Sequence, residues 1–371
     1  MTDKSKRGFV VLGGVGAIGR VVVRDLFESH PRNRILIADY NEAGTRTYAR
    51  SFRGSRVSAA FADAGRSKQL AKLLRGHAVV INCTQHSFNL NVMRAALAAK
   101  IHYVDLGGLF LWTRRQLKLD RLFKRAGLTA ILGTGCSPGI TNVMARAAAD
   151  RFDSIRWVRI RVGARDLNAK PADFFFPYSA QTIVEELTLK PWVFSRGRFH
   201  EVEPRTGWEK ISFSRPVGAQ WVVRTRHSEV ATIPLTFEAK GLRECDFKVG
   251  FDRKFVREVV KRLDDGWTVQ DFAKLPTSRG NPNDYEVSRV IVCGDKKMVT
   301  MDCQARANRL WHASAGDIDT GCPPSIVAQM IVSGLIQQRG VIPPEVVVPV
   351  EPFFRELRKR GMKIVMKESR K

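Results

Sequence analysis

Short apolar runs alternate along the first third of the chain with stretches whose apolar residues recur every three or four positions. Phe9-Val10-Val11-Leu12, Ile35-Leu36-Ile37-Ala38, Val57-Ser58-Ala59-Ala60-Phe61, Ala78-Val79-Val80-Ile81, His102-Tyr103-Val104 and Thr129-Ala130-Ile131-Leu132 read as strands. Helical spacing follows the first of them (Ile18, Val21, Val22, Leu26) and fills the later gaps near 42–53, 66–75, 87–99 and 113–126. Strands and helices in strict alternation predict a parallel sheet covered by helices on both faces, over residues 1–135.

Beyond residue 135 the pattern changes. Ile155 to Val162 alternates apolar and basic residues, which predicts a strand with one wet face. Further short β patterns lie near 221–226, 230–238, 287–293 and 297–303, with helices expected near 180–187 and 253–264. Residues 136–315 therefore read as an inserted α+β domain on a mostly antiparallel sheet, the natural place for substrate and dimer contacts. A helix is expected over 324–338, interrupted at Val341-Ile342-Pro343-Pro344-Glu345, and a basic amphipathic tail follows. Residues 316–371 are expected to return to the first domain.

Gly14, Gly16 and Gly19 stand between the first strand and the first helix, in the order a dinucleotide-binding turn requires. The first glycine permits the tight turn, the second lets main chain approach a pyrophosphate, and the third lets helix pack on strand. Ala17 and Ile18 open the helix, whose N–H groups and positive dipole end suit the phosphates. Asp39 ends the second strand, twenty residues past Gly19. A carboxylate there accepts both ribose hydroxyls of NAD and repels the 2′-phosphate of NADP. The first half is thus a Rossmann domain, and NAD is favoured over NADP. Arg46 and Arg50 are the counterweight.

With 371 residues, 44% of them hydrophobic and 26% charged, the chain has the composition of a soluble globular protein. No apolar run reaches the length of a membrane span. Lys4, Lys6 and Arg7 precede an apolar stretch in the manner of a leader, but Arg20 and the glycines interrupt it, so this reads as a basic tail. Six cysteines without a CxxC pair or paired-histidine spacing suggest no metal site or disulfide framework, and a reducing cytoplasm is the simplest compartment. The net charge of +26 raises the question of nucleic acid. The basic residues are dispersed, with one dense cluster from 355 to 371, and no nucleic-acid module accompanies them; nucleic acid is not expected as a partner. A positive field suits a phosphate-bearing cofactor and a carboxylate-bearing substrate. A merely solvated basic surface is the other reading.

In order along the chain, the glycine turn, Val79-Val80-Ile81-Asn82-Cys83-Thr84, His102-Tyr103-Val104-Asp105-Leu106, Gly133-Thr134-Gly135-Cys136-Ser137-Pro138-Gly139, Pro177-Tyr178-Ser179 with Thr182 and Glu185, His227-Ser228-Glu229 with Thr232 and Pro234, and Gly340-Val341-Ile342-Pro343-Pro344-Glu345 resemble the saccharopine dehydrogenase-like family. The resemblance runs over nearly the whole chain. It implies hydride transfer between a nicotinamide and a carbon bonded to nitrogen, on a lysine-type amino acid or its imine adduct; a homodimer is expected from the inserted sheet. It also implies that the Rossmann domain is split. Two positions depart from the pattern: Ser137 stands where many members are acidic, and Cys136 where many carry a larger apolar residue.

Several residues then carry expected roles. The main chain of Asn82, Cys83 and Thr84, with Gly135, is placed at the ribose and nicotinamide by the resemblance. Asp63 reads either as a partner of the adenine amino group or as a cap for the helix near Arg66. Tyr103 and Asp105 share one face of a strand, so Asp105 is a candidate to hold the amine and stabilise an iminium. A cap for Gly107 and Gly108 is the alternative. His227 and Glu229, on a predicted strand, read as a proton shuttle or as a structural pair. Cys136 and Tyr178 are the candidate substrate contacts, with Arg159, Arg161, Arg165, Arg224 and Arg226 available for carboxylates. The competing functions are a divergent reductase of a carbonyl or enoyl substrate and a non-catalytic NAD-binding protein with a basic partner surface.

Overall fold

Runs such as Phe9-Val10-Val11-Leu12 spare no polar residue for a wet face, and strands of this kind persist only where helices cover both sides. The computed structural model, which describes residues 8–54, 56–170, 173–278 and 280–370, places them so. Lys4, Lys6, Arg7 and Lys371 lie outside the described residues. Strands β1 (Gly8–Leu12), β2 (Arg34–Asp39), β3 (Val57–Phe61), β4 (Val79–Asn82), β5 (His102–Asp105) and β6 (Thr129–Ile131) form a parallel sheet in the order β6-β5-β4-β1-β2-β3. A seventh strand, Gly340–Ile342, joins β6 in parallel. The chain order reverses between β1 and β4, and ligands of open α/β sheets bind at such a switch point, beyond the carboxyl ends of the strands.

Covering helices follow the expected pattern with corrections of detail. The helix Ala17–Ser29 buries Val21, Val22 and Leu26. The stretch expected at 113–126 is two helices, Leu109–Leu117 and Asp120–Arg125. One core joins Val10, Leu12, Val80, Tyr103 and Ala130 of the sheet to Leu70, Leu74, Val92 and Phe123 of the helices.

The chain divides into two units. The first ends at Val143 and resumes over Asp319–Arg360; the second runs Met144–Ile318 and resumes at Gly361. The stretch 316–371, expected to return to the first domain as a whole, is therefore shared. The basic tail is a strand, Lys363–Arg370, in the sheet of the second unit.

That sheet contains β7 (Trp157–Asp166), β8 (Trp192–Ser195), β9 (Arg198–Glu201), β10 (Glu209–Ser212), β11 (Ala219–Arg224), β12 (Glu244–Gly250), β13 (Asp284–Cys293) and β14 (Lys297–Arg306). The order is β10-β11-β12-β7-β13-β14, then Lys363–Arg370, with the β8–β9 hairpin attached to β12. Every pairing is antiparallel except β12 with β7. The helices Ala180–Thr188, Arg253–Asp264 and Val269–Phe272 build a core of Phe176, Ile183, Leu187, Val223, Val256, Val259 and Phe272.

Three expectations need correction. Residues 230–238 are not a strand: Glu229–Thr236 is a helix whose Val230, Ala231 and Ile233 are all buried, so no alternation separates two faces. The apolar helix expected from Pro324 begins nine residues earlier, as Ala315–Val332, with Pro323 and Pro324 inside it. The wet face expected along β7 is closed at Arg161, which is 2% exposed.

Candidate active site

The glycine turn leads from β1 into the helix Ala17–Ser29, and its residues are glycine for different reasons. A Cβ on Gly19 would lie 2.1 Å from the Gly13 carbonyl oxygen, and one on Gly14 would lie 2.8 Å from the Ile37 side chain. Both are imposed from within by packing. A Cβ on Gly16 would meet nothing closer than 3.4 Å, and Gly16 and Ala17 are exposed. Nothing inside the protein excludes a side chain there, and the open main chain at the start of a helix is suited to cradle a phosphate. Gly16 precedes the helix without a side-chain cap, and the first turn holds no acidic residue to compete with an anion.

Asp39 lies beside this turn, its carboxylate accepting from Val15 N at 3.2 Å and Asn41 N at 3.0 Å. It lines a cavity of about 310 Å³ with Leu12, Gly13, Tyr40, Asp63, Thr84 and Phe88. Asp63 faces the cavity, accepts from Gly65 N and pairs with Arg66, but it does not cap the helix Ser67–Leu74, whose N-terminus has no side-chain cap. A larger recess, about 550 Å³ with Arg32, Arg34, Arg56, Ser58 and His77 on its walls, opens near the amino ends of β2 and β3. That is the wrong end of the strands for a dinucleotide. The smaller cavity, with the turn and the carboxylate, fits a nicotinamide dinucleotide: Gly16 and Ala17 for the pyrophosphate, Asp39 for the ribose, Thr84 and Phe88 beyond.

Asn82, Tyr103 and Asp105 form one buried network. Asp105 Oδ1 accepts from Gly133 N (2.7 Å) and Gly107 N (3.0 Å), and Oδ2 from Gln116 Nε2 (2.6 Å) and the Tyr103 hydroxyl (2.8 Å). Burial raises the Asp105 carboxyl above its ordinary range, and these four donors oppose the rise. Asn82 donates to Asn89 and Tyr103 and accepts from the main chain and hydroxyl of Thr84. Asp105 and Tyr103 are fully buried, and both carboxylate oxygens of Asp105 are engaged. Direct contact with a substrate amine, the role expected for Asp105, is at odds with that burial. The alternative of a cap at the glycines fits: Asp105 ties Gly107 and Gly133 together across β5 and β6.

The Gly133–Gly139 loop is equally tight. A Cβ on Gly139, whose φ is +133°, would lie 2.1 Å from the Gly135 carbonyl oxygen. Asn142 accepts from Gly139 N and donates to Glu345. Cys136 is buried, and Cys83 has its thiol raised above the ordinary range by burial and by the Asp105 charge. Neither setting favours a reactive thiolate.

In the second unit the structure brings Tyr178, His227 and Glu229 together and adds Glu186. The Tyr178 hydroxyl donates to Glu186 Oε2 at 2.5 Å. Glu186 Oε1 is 3.8 Å from His227 Nε2, and His227 Nδ1 is 2.5 Å from Glu229 Oε2. Phe247 on β12 stacks on the imidazole at 3.8 Å and 10°. Burial pushes the Glu186 carboxyl from 4.5 up to about 7, opposed by His227 and Tyr178. His227 is raised above 6.5: burial works against this, and Glu229 first, then Glu186, overcome it. Glu186 was legible in one respect only. It falls on the helix face that Ile183 and Leu187 define, and a carboxylate on an apolar face signals a buried polar site.

The expected arginines are mostly engaged. Arg161 pairs with Asp246 and Glu209, Arg226 with Glu201, and Arg165 donates to the Pro216 carbonyl. Arg159 lies over the Trp157 ring. Arg224 makes a looser approach to Asp246, at 3.5 Å.

Comparison with known proteins accords with this arrangement. Residues 9–131 match the model of the saccharopine dehydrogenase NADP binding domain, and residues 135–362 that of the saccharopine dehydrogenase C-terminal domain. Carboxyaminopropylagmatine dehydrogenase of Synechocystis sp. is 25% identical, covering 95% of this chain and 96% of that protein. Carboxynorspermidine synthase of Vibrio alginolyticus is 26% identical over 48% of this chain and 44% of its own length. Two solved structures share the fold. Saccharopine dehydrogenase (L-Glu forming) of Saccharomyces cerevisiae has a TM-score of 0.73 at 16% identity, covering 98% of this chain and all of that one. The homospermidine synthase of Legionella pneumophila, in complex with NAD, has a TM-score of 0.71 at 12% identity, covering 99% and 93%. With family models matching both units, the chain belongs to the saccharopine dehydrogenase family.

Proposed function

We propose that this protein is a nicotinamide-dependent dehydrogenase acting at a C–N bond of a lysine-type amino acid or of the imine adduct that such an amine forms. The dinucleotide cradle of the first unit, in a chain of this family, is the observation that carries the reading. When bound, the nicotinamide accepts hydride from the carbon beside nitrogen, or returns it in the reductive direction. Gly16 and Ala17 hold the pyrophosphate, and Asp39 binds the ribose hydroxyls and sets the preference for NAD over NADP. Asp105 is a positioning residue that fixes the Gly107 and Gly133 turns rather than touching the amine. Tyr178 contacts the substrate, and His227 and Glu229 stand behind it in the handling of protons. The activities named for the relatives, on carboxylated polyamine precursors and saccharopine, support an amine rather than a carbonyl or enoyl substrate.

No helix among the described residues is long and apolar enough to cross a membrane. A cytoplasmic homodimer is the assembly we propose. The deciding experiment incubates purified protein with NAD and lysine, saccharopine or carboxylated polyamines, and with NADH and imine-forming pairs in reverse. NADH formation or consumption with one of them is the expected result. Silence in both directions across the panel defeats the reading.

A further inference from the structure

We propose that Tyr178 receives the proton of the substrate ammonium while passing its own to Glu186, with His227 and Glu229 as positioning residues behind it. This rests on the function proposed above and adds to it the entry point, the acceptor and the order of transfer.

Exposure sets the direction. Tyr178 is 38% exposed as a residue, with its hydroxyl turned into the buried side, whereas Glu186, His227 and Glu229 are buried. Within this set, a proton from outside meets the phenol first. Its hydroxyl is turned inward onto the Glu186 carboxylate, so it can accept on its free lone pair as it donates along the existing bond. The step balances without a further reactant. The ammonium loses one N–H bond and becomes a neutral amine, Glu186 gains one O–H bond, and Tyr178 ends as it began. Only the neutral amine has the nitrogen lone pair that C–H hydride loss needs.

Charge supports the same ligand. In a chain of net charge +26, this corner carries more carboxylates than cations. Glu186 faces His227, Tyr178, Glu229 and its neighbour Glu185, and Glu286 on β13 acts on Tyr178. Four acidic groups around one imidazole and one phenol favour an approaching cation over an anion. The imidazole is fixed on both sides, by Glu229 at Nδ1 and by the Phe247 ring, so its Nε2 is held toward Glu186. That contact keeps Glu186 close to neutrality in its proton affinity instead of far above it.

The test uses the full chain with NAD bound and the amine that it oxidises. Oxidation in the wild type should rise with pH on a limb set by Glu186, near 7. Tyr178→Phe, which removes one oxygen from a partly exposed ring, and Glu186→Gln should each lower kcat/KM by about 10²- to 10⁴-fold. Glu186→Gln should also erase the limb, and both variants should keep wild-type NAD affinity by fluorescence titration. His227→Gln should shift the limb rather than erase it. Variants within threefold of the wild type, with the limb intact, overturn the proposal. Calorimetry of lysine binding at pH 6.5 in buffers of different ionisation heat gives a readout without turnover. An ammonium at Tyr178 expels the Glu186 proton, so the wild type should release protons and Glu186→Gln should not. Absence of release in the wild type, or of lysine binding, overturns it. If no amine is oxidised while that release is seen, the proposed reaction fails and the relay stands.

Discussion

Arg360 closes on Asp25 across 335 residues of chain, Nε to Oδ1 at 2.6 Å and Nη2 to Oδ2 at 2.9 Å. Asp25 sits on the buried face of the helix Ala17–Ser29, which starts at the phosphate cradle, and also accepts from Ser325. The late segment of the first unit is thereby pinned to the helix that presents the cofactor. Removing one partner of a buried bidentate pair leaves a bare charge, at a cost of about 3–5 kcal/mol. Asp25→Ala and Arg360→Met should each lower the free energy of unfolding by such an amount, while Asp25→Leu with Arg360→Met should recover most of it. A denaturation series with all three variants measures this. Losses that simply add in the double variant would remove the pair from the account.

Gly16 and Gly19 separate packing from binding. Gly19→Ala forces a Cβ against the Gly13 carbonyl, so this variant should lose stability and NAD affinity together. Gly16→Val meets no such obstacle inside the protein. It should melt close to the wild type and bind NAD at least tenfold more weakly, because its side chain occupies the pyrophosphate approach. Thermal melts with and without NAD distinguish the two outcomes. Loss of fold in the Gly16 variant would return that glycine to a structural role.

Asp105→Asn tests which part its carboxylate plays. An amide offers a nitrogen to at least one of the four donors now facing the carboxylate. Each donor so left costs about 1–3 kcal/mol. The variant should be less stable, yet its kcat at a temperature where it remains folded should fall by less than tenfold. A fall of several hundredfold with unchanged stability would put Asp105 at the reacting centre.

The contrast between Asp105 and Glu186 shows where the sequence was informative. Strand ends are legible because apolar runs stop at them, so Asp39, Asn82 and Asp105 were found at the correct edge of the sheet. Which strand-end groups face a ligand and which face each other depends on partners such as Gln116 and Gly133, distant in sequence. The strand expected at 230–238 gives way to the helix Glu229–Thr236 for a related reason: Val230, Thr232 and Ile233 are β-branched, as in a strand, and burial on all sides overrides that propensity. Arg161 carries the same lesson, since the carboxylates that let it be buried come from other elements, β10 and β12.

The proposed function gives Asp39 the choice between the two nicotinamide dinucleotides. Asp39→Ser removes the charge that repels a 2′-phosphate and one acceptor for the ribose. NAD should bind about 10- to 100-fold more weakly, the loss expected for a charge-assisted hydrogen bond, and NADP should gain. Dissociation constants for both reduced cofactors, from nicotinamide fluorescence, test this. The contacts of Asp39 with Val15 N and Asn41 N predict a small stability loss as well. Unchanged preference would mean that Tyr40 or the Arg46 and Arg50 pair governs the choice.

Stability of the second unit should fall as pH rises from 5 to 8, and the sign follows from three groups. Burial raises Glu186 from 4.5 to about 7 and Asp284 from 3.8 to about 6. Below the lower value of each pair both states hold the proton. Through the interval the unfolded chain gives it up first, so stability declines and then levels off above the upper value. His227, raised above 6.5, adds in the same direction: its contribution is whole below 6.5 and lost as pH passes its folded value. Asp271, lowered to about 2, has the opposite sign but acts only at more acid pH. Six of the seven tryptophans lie in the second unit, so fluorescence-detected denaturation reads it preferentially. The midpoint should be lower at pH 8 than at pH 5.5, and Glu186→Gln should flatten part of the slope and leave the share due to His227 and Asp284. A midpoint that rises over this range, or a slope the variant does not change, would mean that folding does not raise the proton affinity of Glu186, and the rise in oxidation expected near pH 7 would lose its basis.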